Sequence, residues 1–237
     1  MNEINEFIKK YKFVGISGPQ GCGKTTISDQ LDAIVLHLDD FYYPYRQLQL
    51  LSALGNPFYR NRGLPGTHDI DTLLYSIQSL SSGQQTQVPV YNKSLHNGKG
   101  DRDGMVIIKP NRQCIVLEGW CVGFLPTEIA VQEWFTLKDV EQINKKLQQY
   151  TKIWNLMDAI VHIKTMDIEN VYEWRLEQEI ERNQGMSKSQ IIEFIEPFMP
   201  WYACSMINKP ALLIIIDKNR QILHSEVLHP SELTIVT

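Results

Sequence analysis

The chain has 237 residues, of which 43% are hydrophobic and 21% are charged, as in ordinary soluble globular proteins. A formal net charge of -4 without a stripe of lysines and arginines argues against nucleic-acid binding, and no apolar run is long enough to cross a membrane. The N-terminal segment lacks the pattern of a secretory signal and the four cysteines lack C-x-x-C spacing, so we expect a cytoplasmic protein with reduced thiols.

The first predicted strand, residues 13–16, leads into a phosphate-binding loop. The sequence Gly18-Pro19-Gln20-Gly21-Cys22-Gly23-Lys24-Thr25 has the G-x-x-x-x-G-K-[ST] pattern, in which glycines let successive backbone N–H groups surround a phosphate. The helix that follows adds the positive end of its dipole. We expect Lys24 to reach the outer phosphates, Thr25 to hold Mg²⁺, and Thr26 to complete the nucleotide site.

The second predicted strand, residues 34–38, ends in two adjacent carboxylates. Ligands bind at the carboxyl ends of strands in doubly wound sheets, and neighbouring side chains point in different directions, so at most one of the two faces the phosphates. Asp39 is the candidate general base for an acceptor hydroxyl and a candidate Mg²⁺ ligand; the alternative is a capping or turn role. Asp40 is a candidate for binding the acceptor.

Two long polar loops, 41–68 and 92–104, are candidates for holding a substrate. The stretch 60–69 combines arginines with glycines, a histidine and an aspartate, and a guanidinium group can bind a carboxylate in a bidentate manner. The alternative is a solvated loop that caps the next predicted helix, which begins near Asp69 or Asp71. Candidate acceptor-binding residues from these segments and their flanks are Asp40, Tyr42, Arg62, His68, Asp69, Tyr91, Lys93 and Arg102.

A third acidic residue follows the buried strand predicted at residues 114–117. Glu118 precedes Gly119 at the carboxyl end of this strand, from which a carboxylate can reach Mg²⁺ or its waters. A plain turn residue is the alternative. Together with the phosphate-binding loop, this position makes Glu118 a candidate metal ligand.

Two helices are predicted in the last third of the chain. The first begins near Asp167 and carries Arg175, which could close over a triphosphate and stabilise charge in the transition state. Pairing of Arg175 with Glu179, one turn along the helix, is the alternative. The second begins with a capping pattern at Ser187, and Pro197 and Pro200 bend or end it.

The apolar runs together predict an α/β fold with a parallel sheet. Continuous short apolar runs that alternate with helical patterns are typical of strands buried on both faces and joined by βαβ connections. No flexible joint interrupts the chain, so we expect one domain over residues 1–237. The five strong runs are 13–16, 34–38, 114–117, 159–163 and 212–216, and the weaker runs 105–108 and 221–227 are candidates for edge strands.

With these residues in hand, the chain resembles the D-glycerate 3-kinase family, within the P-loop kinases that include uridine kinase, phosphoribulokinase and bacterial pantothenate kinase. The R-G-x-x-G-[ST]-H-D loop at 62–69 and the L-E-G-W-x-x-G-F strand end at 117–124 are much more specific than the phosphate-binding loop alone. The resemblance covers the chain from about Phe13 to about Ile216. Further matching segments are 38–42, 89–94, 98–102, 174–179, 185–187 and 198–202.

The resemblance implies an ATP- and Mg²⁺-dependent kinase that acts on a small hydroxylated metabolite, with D-glycerate and 3-phosphoglycerate as the leading pair. It also implies a five-stranded parallel core with helices on both faces and a helical lid over about 175–190. Matching positions assign Lys24 and Thr25 to nucleotide and metal, Asp39 to the base, and the loop 62–69 to the acceptor.

One position departs from the family pattern. Asn92 stands where an aspartate is expected, so a carboxylate contact to substrate or metal is missing or weakened. Some members of this group, including a fungal branch, resemble kinases whose acceptor is not settled. A nucleoside, pantothenate-like or sugar acceptor therefore stays open, as does an ATP-binding protein without transfer activity, and we expect a monomer or a homodimer.

Overall fold

The computed structural model describes residues 2–182 and 186–230. This part of the chain contains both strands and α-helices, and short 3-10 helices lie at 38–41, 57–59 and 196–203. The strands are β1 (Phe13–Ser17), β2 (Ile34–His37), β3 (Thr86–Asn92), β4 (Asp101–Ile108), β5 (Ile115–Glu118), β6 (Ala159–Thr165), β7 (Ala211–Ile216) and β8 (Ile222–Leu228). The helices are α1 (Asn2–Ile8), α2 (Lys24–Ser28), α3 (Tyr45–Ser52), α4 (Ile70–Ser81), α5 (Leu137–Trp154), α6 (Asn170–Arg182) and α7 (Lys188–Ile195).

The main sheet has the strand order β2-β5-β1-β6-β7-β8. The first five strands are parallel, and β8 pairs with β7 in the antiparallel direction. The predicted α/β fold with a five-stranded parallel core is therefore confirmed, and the weak run at 221–227 forms the added edge strand. The run at 105–108 belongs instead to β4, which pairs with β3 in a separate two-stranded hairpin.

The five parallel strands of the main sheet pack against other elements on both faces. In β5, Ile115 and Leu117 pack with α4 and α5, whereas Val116 packs with α1, α6 and α7 on the other face. Because alternate residues of one strand enter two hydrophobic cores, every one of these residues is apolar, which explains the continuous runs in the sequence. None of the helices in the described ranges has the length and apolar character needed to cross a bilayer.

Several local expectations change. The segment 41–68 is not a plain loop, because it contains α3, none of whose residues is fully buried, and a 3-10 helix. The segment 92–104 also ends in regular structure, since β4 begins at Asp101. Helices α1 and α5 were not predicted. Helix α6 begins at Asn170, three residues after Asp167.

The predicted helix starts at 69 and 187 are confirmed by their caps. The side chain of Asp69 accepts a hydrogen bond from the backbone N–H of Thr72, and Ser187 forms a reciprocal capping box with Gln190. Helix α7 ends at Ile195, before Pro197. These caps fix where the two helices leave the loops that surround the carboxyl edge of the sheet.

Candidate active site

A cavity of about 180 Å³ lies at the carboxyl ends of β1, β2 and β5. Parallel strands end at the same edge of a sheet, so residues that are far apart in sequence meet there. The aromatic rings of Trp120, Phe194 and Phe198 form part of its wall. The cavity brings together predicted site residues from six segments, among them Lys24, Thr25, Asp39, Arg62, Lys93, Glu118 and Arg175.

The phosphate-binding loop has the backbone geometry that its glycines predict. Gly21 and Gly23 have φ angles of 81° and 91°, which lie in the left-handed region. Gly23 precedes α2, and no side chain of the described residues caps the first turn of that helix. The Nζ atom of Lys24 is buried and donates a hydrogen bond of 2.9 Å to the carbonyl oxygen of Pro19. The first-turn N–H groups therefore remain available to an anion.

Three neighbouring groups hold this loop in place. A Cβ atom at Gly21 would lie 2.5 Å from the Cβ atom of Trp174, so the loop packs directly on α6. The Nε atom of Arg220 donates to the carbonyl oxygen of Gly21 at 2.7 Å, and the N–H of Gln20 donates to the hydroxyl of Tyr202 at 3.3 Å. The loop is thus shaped before any ligand binds, which lowers the entropic cost of binding.

Asp39 reaches the cavity and holds two partners. Its Oδ2 atom lies 2.5 Å from Nζ of Lys93, and its Oδ1 atom accepts a hydrogen bond of 2.7 Å from the hydroxyl of Tyr42. Burial alone would raise the pKa of Asp39, but the charge of Lys93 and the hydrogen bonds from Lys93 and Tyr42 hold that pKa well below its usual range. The carboxylate is therefore ionised at neutral pH.

Asp40 accepts a hydrogen bond from a backbone group outside the cavity lining. Its Oδ1 atom accepts a hydrogen bond of 3.2 Å from the backbone N–H of Tyr91, so it ties the end of β2 to the β3–β4 hairpin. Burial raises the pKa of the Asp40 carboxyl above its ordinary value. The structure separates the two adjacent acids as their alternation predicts, and a contact of Asp40 with the acceptor stays a prediction.

Glu118 lies beside Thr25 and His37. Its Oε1 atom accepts a hydrogen bond of 3.0 Å from the hydroxyl of Thr25 and lies 2.9 Å from Nδ1 of His37. His37 and Glu118 are register partners at the ends of β2 and β5, which explains their proximity. Burial lowers the pKa of His37, but the hydrogen bond and charge of Glu118 outweigh this effect and raise the pKa.

His37 is the site residue that sequence reasoning missed. The signal was present, because His37 is the single polar residue at the end of an otherwise apolar strand, two residues before Asp39. Thr25 and Glu118 supply hard oxygen atoms that suit Mg²⁺, and Asp39 lines the same cavity. Mg²⁺ is commonly held by one or two protein oxygens together with substrate phosphates and water, so this small donor set fits the ion.

Arg62 lies between the two long loops. One guanidinium nitrogen donates to the carbonyl oxygens of Gly98 and Lys99 at 2.8 and 2.6 Å, and the guanidinium carbon lies 5.4 Å from the ring centre of Tyr91. The side chain also lines the cavity. Arg62 can therefore hold the tip of the β3–β4 hairpin and still present charge to a ligand.

Besides Asp40, four predicted acceptor residues do not line the cavity. His68 is buried and its Nδ1 atom lies 2.7 Å from the hydroxyl of Tyr150, while its ring stacks on Tyr42. Asp69 caps α4 and pairs with Arg102, which in turn donates from Nε to the carbonyl oxygen of Tyr42. Tyr91 is buried, and its ring packs edge-on against that of Tyr42. These residues surround Tyr42, the residue that donates to Asp39, and a direct role in binding stays a prediction.

Arg175 borders the cavity from α6. Its guanidinium forms an ion pair with the buried carboxylate of Glu179 and lies 4.5 Å from the ring centre of Phe194 on α7. The pairing that the sequence left as the alternative is present, and Arg175 nevertheless lines the cavity. The predicted lid over about 175–190 combines parts of α6 and α7, and residues 183–185 of that segment lie outside the described residues.

Comparisons with known proteins identify relatives of this chain. No protein-family model matches the chain. An uncharacterized kinase of Schizosaccharomyces pombe is 33% identical over 87% of this chain and 88% of its own length. The chloroplastic D-glycerate 3-kinase of Arabidopsis thaliana is 34% identical over 80% of this chain, which spans only 46% of the plant protein.

The solved structures agree with the relatives found by sequence. A D-glycerate 3-kinase from Cryptococcus neoformans superposes with a TM-score of 0.77 and 29% identity, covering 92% of this chain and 89% of that protein. The similarity therefore includes the strands that carry the cavity as well as the helices around them.

Proposed function

Because the chain belongs to the family of P-loop kinases that includes D-glycerate 3-kinase, and is a phosphotransferase that acts on an alcohol group, we propose that it transfers the γ-phosphate of ATP to D-glycerate. The product is 3-phosphoglycerate. The proposal includes Mg²⁺ as the metal and a single cytoplasmic kinase domain.

The pairing of Asp39 with Lys93 is the observation that carries this proposal. It places a carboxylate that can take a proton beside a cation that can bind an acidic acceptor, in the same cavity as Lys24 and Thr25. A neutral acceptor would leave Lys93 where it is, on the base. A carboxylated acceptor offers Lys93 a second anion, and Arg62 adds a guanidinium on the same cavity wall.

Each residue then has a separate task. When bound, ATP would supply the phosphoryl group and Mg²⁺ would neutralise the charge that develops during its transfer. Lys24 would exchange its hydrogen bond to Pro19 for one to a phosphate oxygen, and Thr25 and Glu118 would hold the metal. Asp39 accepts the proton of the primary hydroxyl once Lys93 has turned to the acceptor carboxylate.

Tyr42 and Arg175 complete the scheme. The hydroxyl of Tyr42 stays on Oδ1 of Asp39 and orients the carboxylate, so that Oδ2 is the atom which receives the proton. Arg175 neutralises charge on the transferred group from the side of α6, and its ion pair with Glu179 keeps its side chain close to the helix until then.

A panel of acceptors tests the proposal by the rate of ADP release. We expect D-glycerate to stimulate release well above the background with Mg·ATP, and glycerol, which lacks the carboxylate, to fail. No stimulation by D-glycerate would exclude it as the acceptor. Stimulation by uridine, pantothenate or a sugar would identify another acceptor, and no stimulation by any compound would favour an ATP-binding protein without transfer activity.

A further inference from the structure

The strand β8 forms one edge of the main sheet. Within the described residues it has a strand neighbour on one side only, which is β7. Its apolar side chains at Ile222, Leu223 and Val227 are 52%, 57% and 45% exposed. The strand has neither lysine nor proline, the residues by which natural edge strands discourage pairing with another chain.

The opposite edge of the sheet differs. Strand β2 has four residues, and each of them is buried or half-buried. Short and covered edges do not offer a template for a further strand, whereas a longer and exposed edge does. The contrast within one sheet makes the exposure of β8 a specific feature of that strand.

The sequence of β8 is complementary to itself in the antiparallel direction. If Ser225 lies opposite Ser225 of a second copy, His224 lies opposite Glu226, and Leu223 lies opposite Val227. The outer pair is then Ile222 with Leu228. On either side of the central serines, every cross-strand pair joins two apolar side chains or a histidine and a carboxylate, the combinations that stabilise an antiparallel ladder.

The backbone of β8 is regular at the centre of this pairing, where Ser225 and the two His224–Glu226 pairs lie. The ladder with β7 is continuous from His224 to Leu228, and the irregularity in register, between His224 and Ile222, falls at the outer apolar pairs. His224 and Glu226 are each 54% exposed and lie 3.4 Å apart on one face of the strand. Because this His224–Glu226 contact is exposed to solvent, replacing it with the same contact between two copies costs little free energy.

We propose that two copies of the chain associate through β8, paired antiparallel about Ser225, so that the two main sheets become one continuous sheet. The occupant of the edge is a second copy because charge and apolar residues both match in this self-pairing register, and a shift by one residue places Leu223 opposite Glu226. The contact involves one short strand from each copy, so the dimer is weak and depends on concentration. The proposal is independent of the acceptor used by the kinase.

Exchange of the charged pair tests the register. Sedimentation velocity of the full chain over a wide range of concentrations is expected to show a monomer–dimer equilibrium. In the variant His224→Glu, the new glutamate of each copy lies opposite Glu226 of the other copy, so two pairs of like charges form. This change is expected to weaken association roughly five- to thirtyfold. The double variant His224→Glu with Glu226→Lys restores opposite charges and is expected to restore the dimer.

A cysteine at the centre of the pairing gives a second test. Antiparallel partners have Cα atoms about 4.5–5.5 Å apart, within the range for a disulfide, so Ser225→Cys is expected to form an interchain disulfide under mild oxidation. The four native cysteines are buried, and the exposed turn variant Asn219→Cys is the matched control. A monomer at all concentrations, a dimer indifferent to the charge exchange, or equal crosslinking of the two cysteine variants would each overturn the proposal.

Discussion

The Nζ atom of Lys93 lies 2.5 Å from Oδ2 of Asp39, so the candidate base is bound to a cation before any acceptor arrives. The two residues are 54 positions apart and come from the β3–β4 hairpin and the end of β2. The contact keeps Asp39 ionised, and it also occupies the oxygen atom that would receive a proton. Binding of an acidic acceptor and activation of the base are therefore coupled through one side chain.

Replacement of Lys93 by methionine should change the pH profile of turnover. Without the ammonium group, burial raises the pKa of Asp39, so the carboxylate becomes protonated at a higher pH. The acidic limb of kcat should therefore move to higher pH, and the KM for the acceptor should rise. Steady-state kinetics with saturating nucleotide give both values. Lys145→Met, at an exposed position of α5, is the control, and coincident profiles for the two variants would contradict the assignment.

Replacement of Asp39 by asparagine should abolish most turnover and preserve nucleotide binding. An amide cannot accept the hydroxyl proton, and general-base catalysis typically contributes about 10²- to 10⁴-fold. Single-turnover measurements with a nucleotide titration separate the two effects. The same change at the exposed Asp71 of α4 should leave turnover near that of the native protein. Near-normal turnover of Asp39→Asn would mean that another group takes the proton.

His37 should influence metal affinity through Glu118. Loss of the hydrogen bond in His37→Leu frees the carboxylate to rotate away from Thr25, and residues that orient metal ligands typically affect affinity about 10- to 100-fold. Electron paramagnetic resonance of Mn²⁺ with ADP measures this affinity without turnover. His37→Gln keeps a side chain that can form a hydrogen bond and should lose less metal affinity than His37→Leu. Equal affinities in the native protein and His37→Leu would show that His37 has no positioning role.

Gly21 should tolerate no side chain. An alanine there adopts a φ angle of 81° and places its Cβ atom 2.5 Å from that of Trp174. Gly55 has a similar φ angle of 85°, and a Cβ atom added to it would meet no other atom within 4 Å, so Gly55→Ala isolates the backbone cost, about 1–2 kcal/mol. Urea denaturation should show a larger loss for Gly21→Ala, by about 1–3 kcal/mol. Nucleotide binding should fall only in Gly21→Ala, and equal losses of stability in the two variants would contradict the close packing on Trp174.

His68 should make the folded state sensitive to acid. Burial lowers its pKa from 6.5 to about 4, so between these values the unfolded chain binds a proton that the folded chain does not. Stability therefore falls as pH drops below 6.5, by at most about 1.4 kcal/mol per pH unit from this group. His162, whose pKa burial lowers to about 3, adds a similar slope. Urea denaturation at several pH values gives the free energy of unfolding, which should depend less steeply on pH in His68→Gln than in the native protein. An unchanged dependence on pH would show that His68 does not cause the acid sensitivity.

The strand ends were predictable because the geometry of a parallel sheet is general. A buried run followed by an acid places that acid at the carboxyl edge whichever strands are neighbours, so Asp39 and Glu118 could be identified without knowing the strand order. The phosphate-binding loop was predictable for a related reason, since its backbone conformation depends on glycines that are close together in sequence.

The partners of these residues could not be predicted in the same way. His68 meets Tyr150 across 82 positions, and Arg102 meets Asp69 across 33, so both contacts depend on how loops fold over the sheet. A histidine and an arginine in polar loops look equally suited to a ligand or to a neighbour. Only the packing shows that both support Tyr42.

The strand order has a consequence for synthesis of the chain. Strand β1 is synthesised first, but its sheet neighbours are β5 and β6. Phe13 therefore cannot pair until Ile115 has been synthesised, and Val14 cannot pair until Ala159 has been synthesised. At roughly 5–20 residues per second on a ribosome, that interval lasts between about 5 and 30 s. During this time an apolar strand and its glycine-rich turn emerge without partners. The nascent polypeptide should therefore be a client for chaperones until more than half of it has been translated.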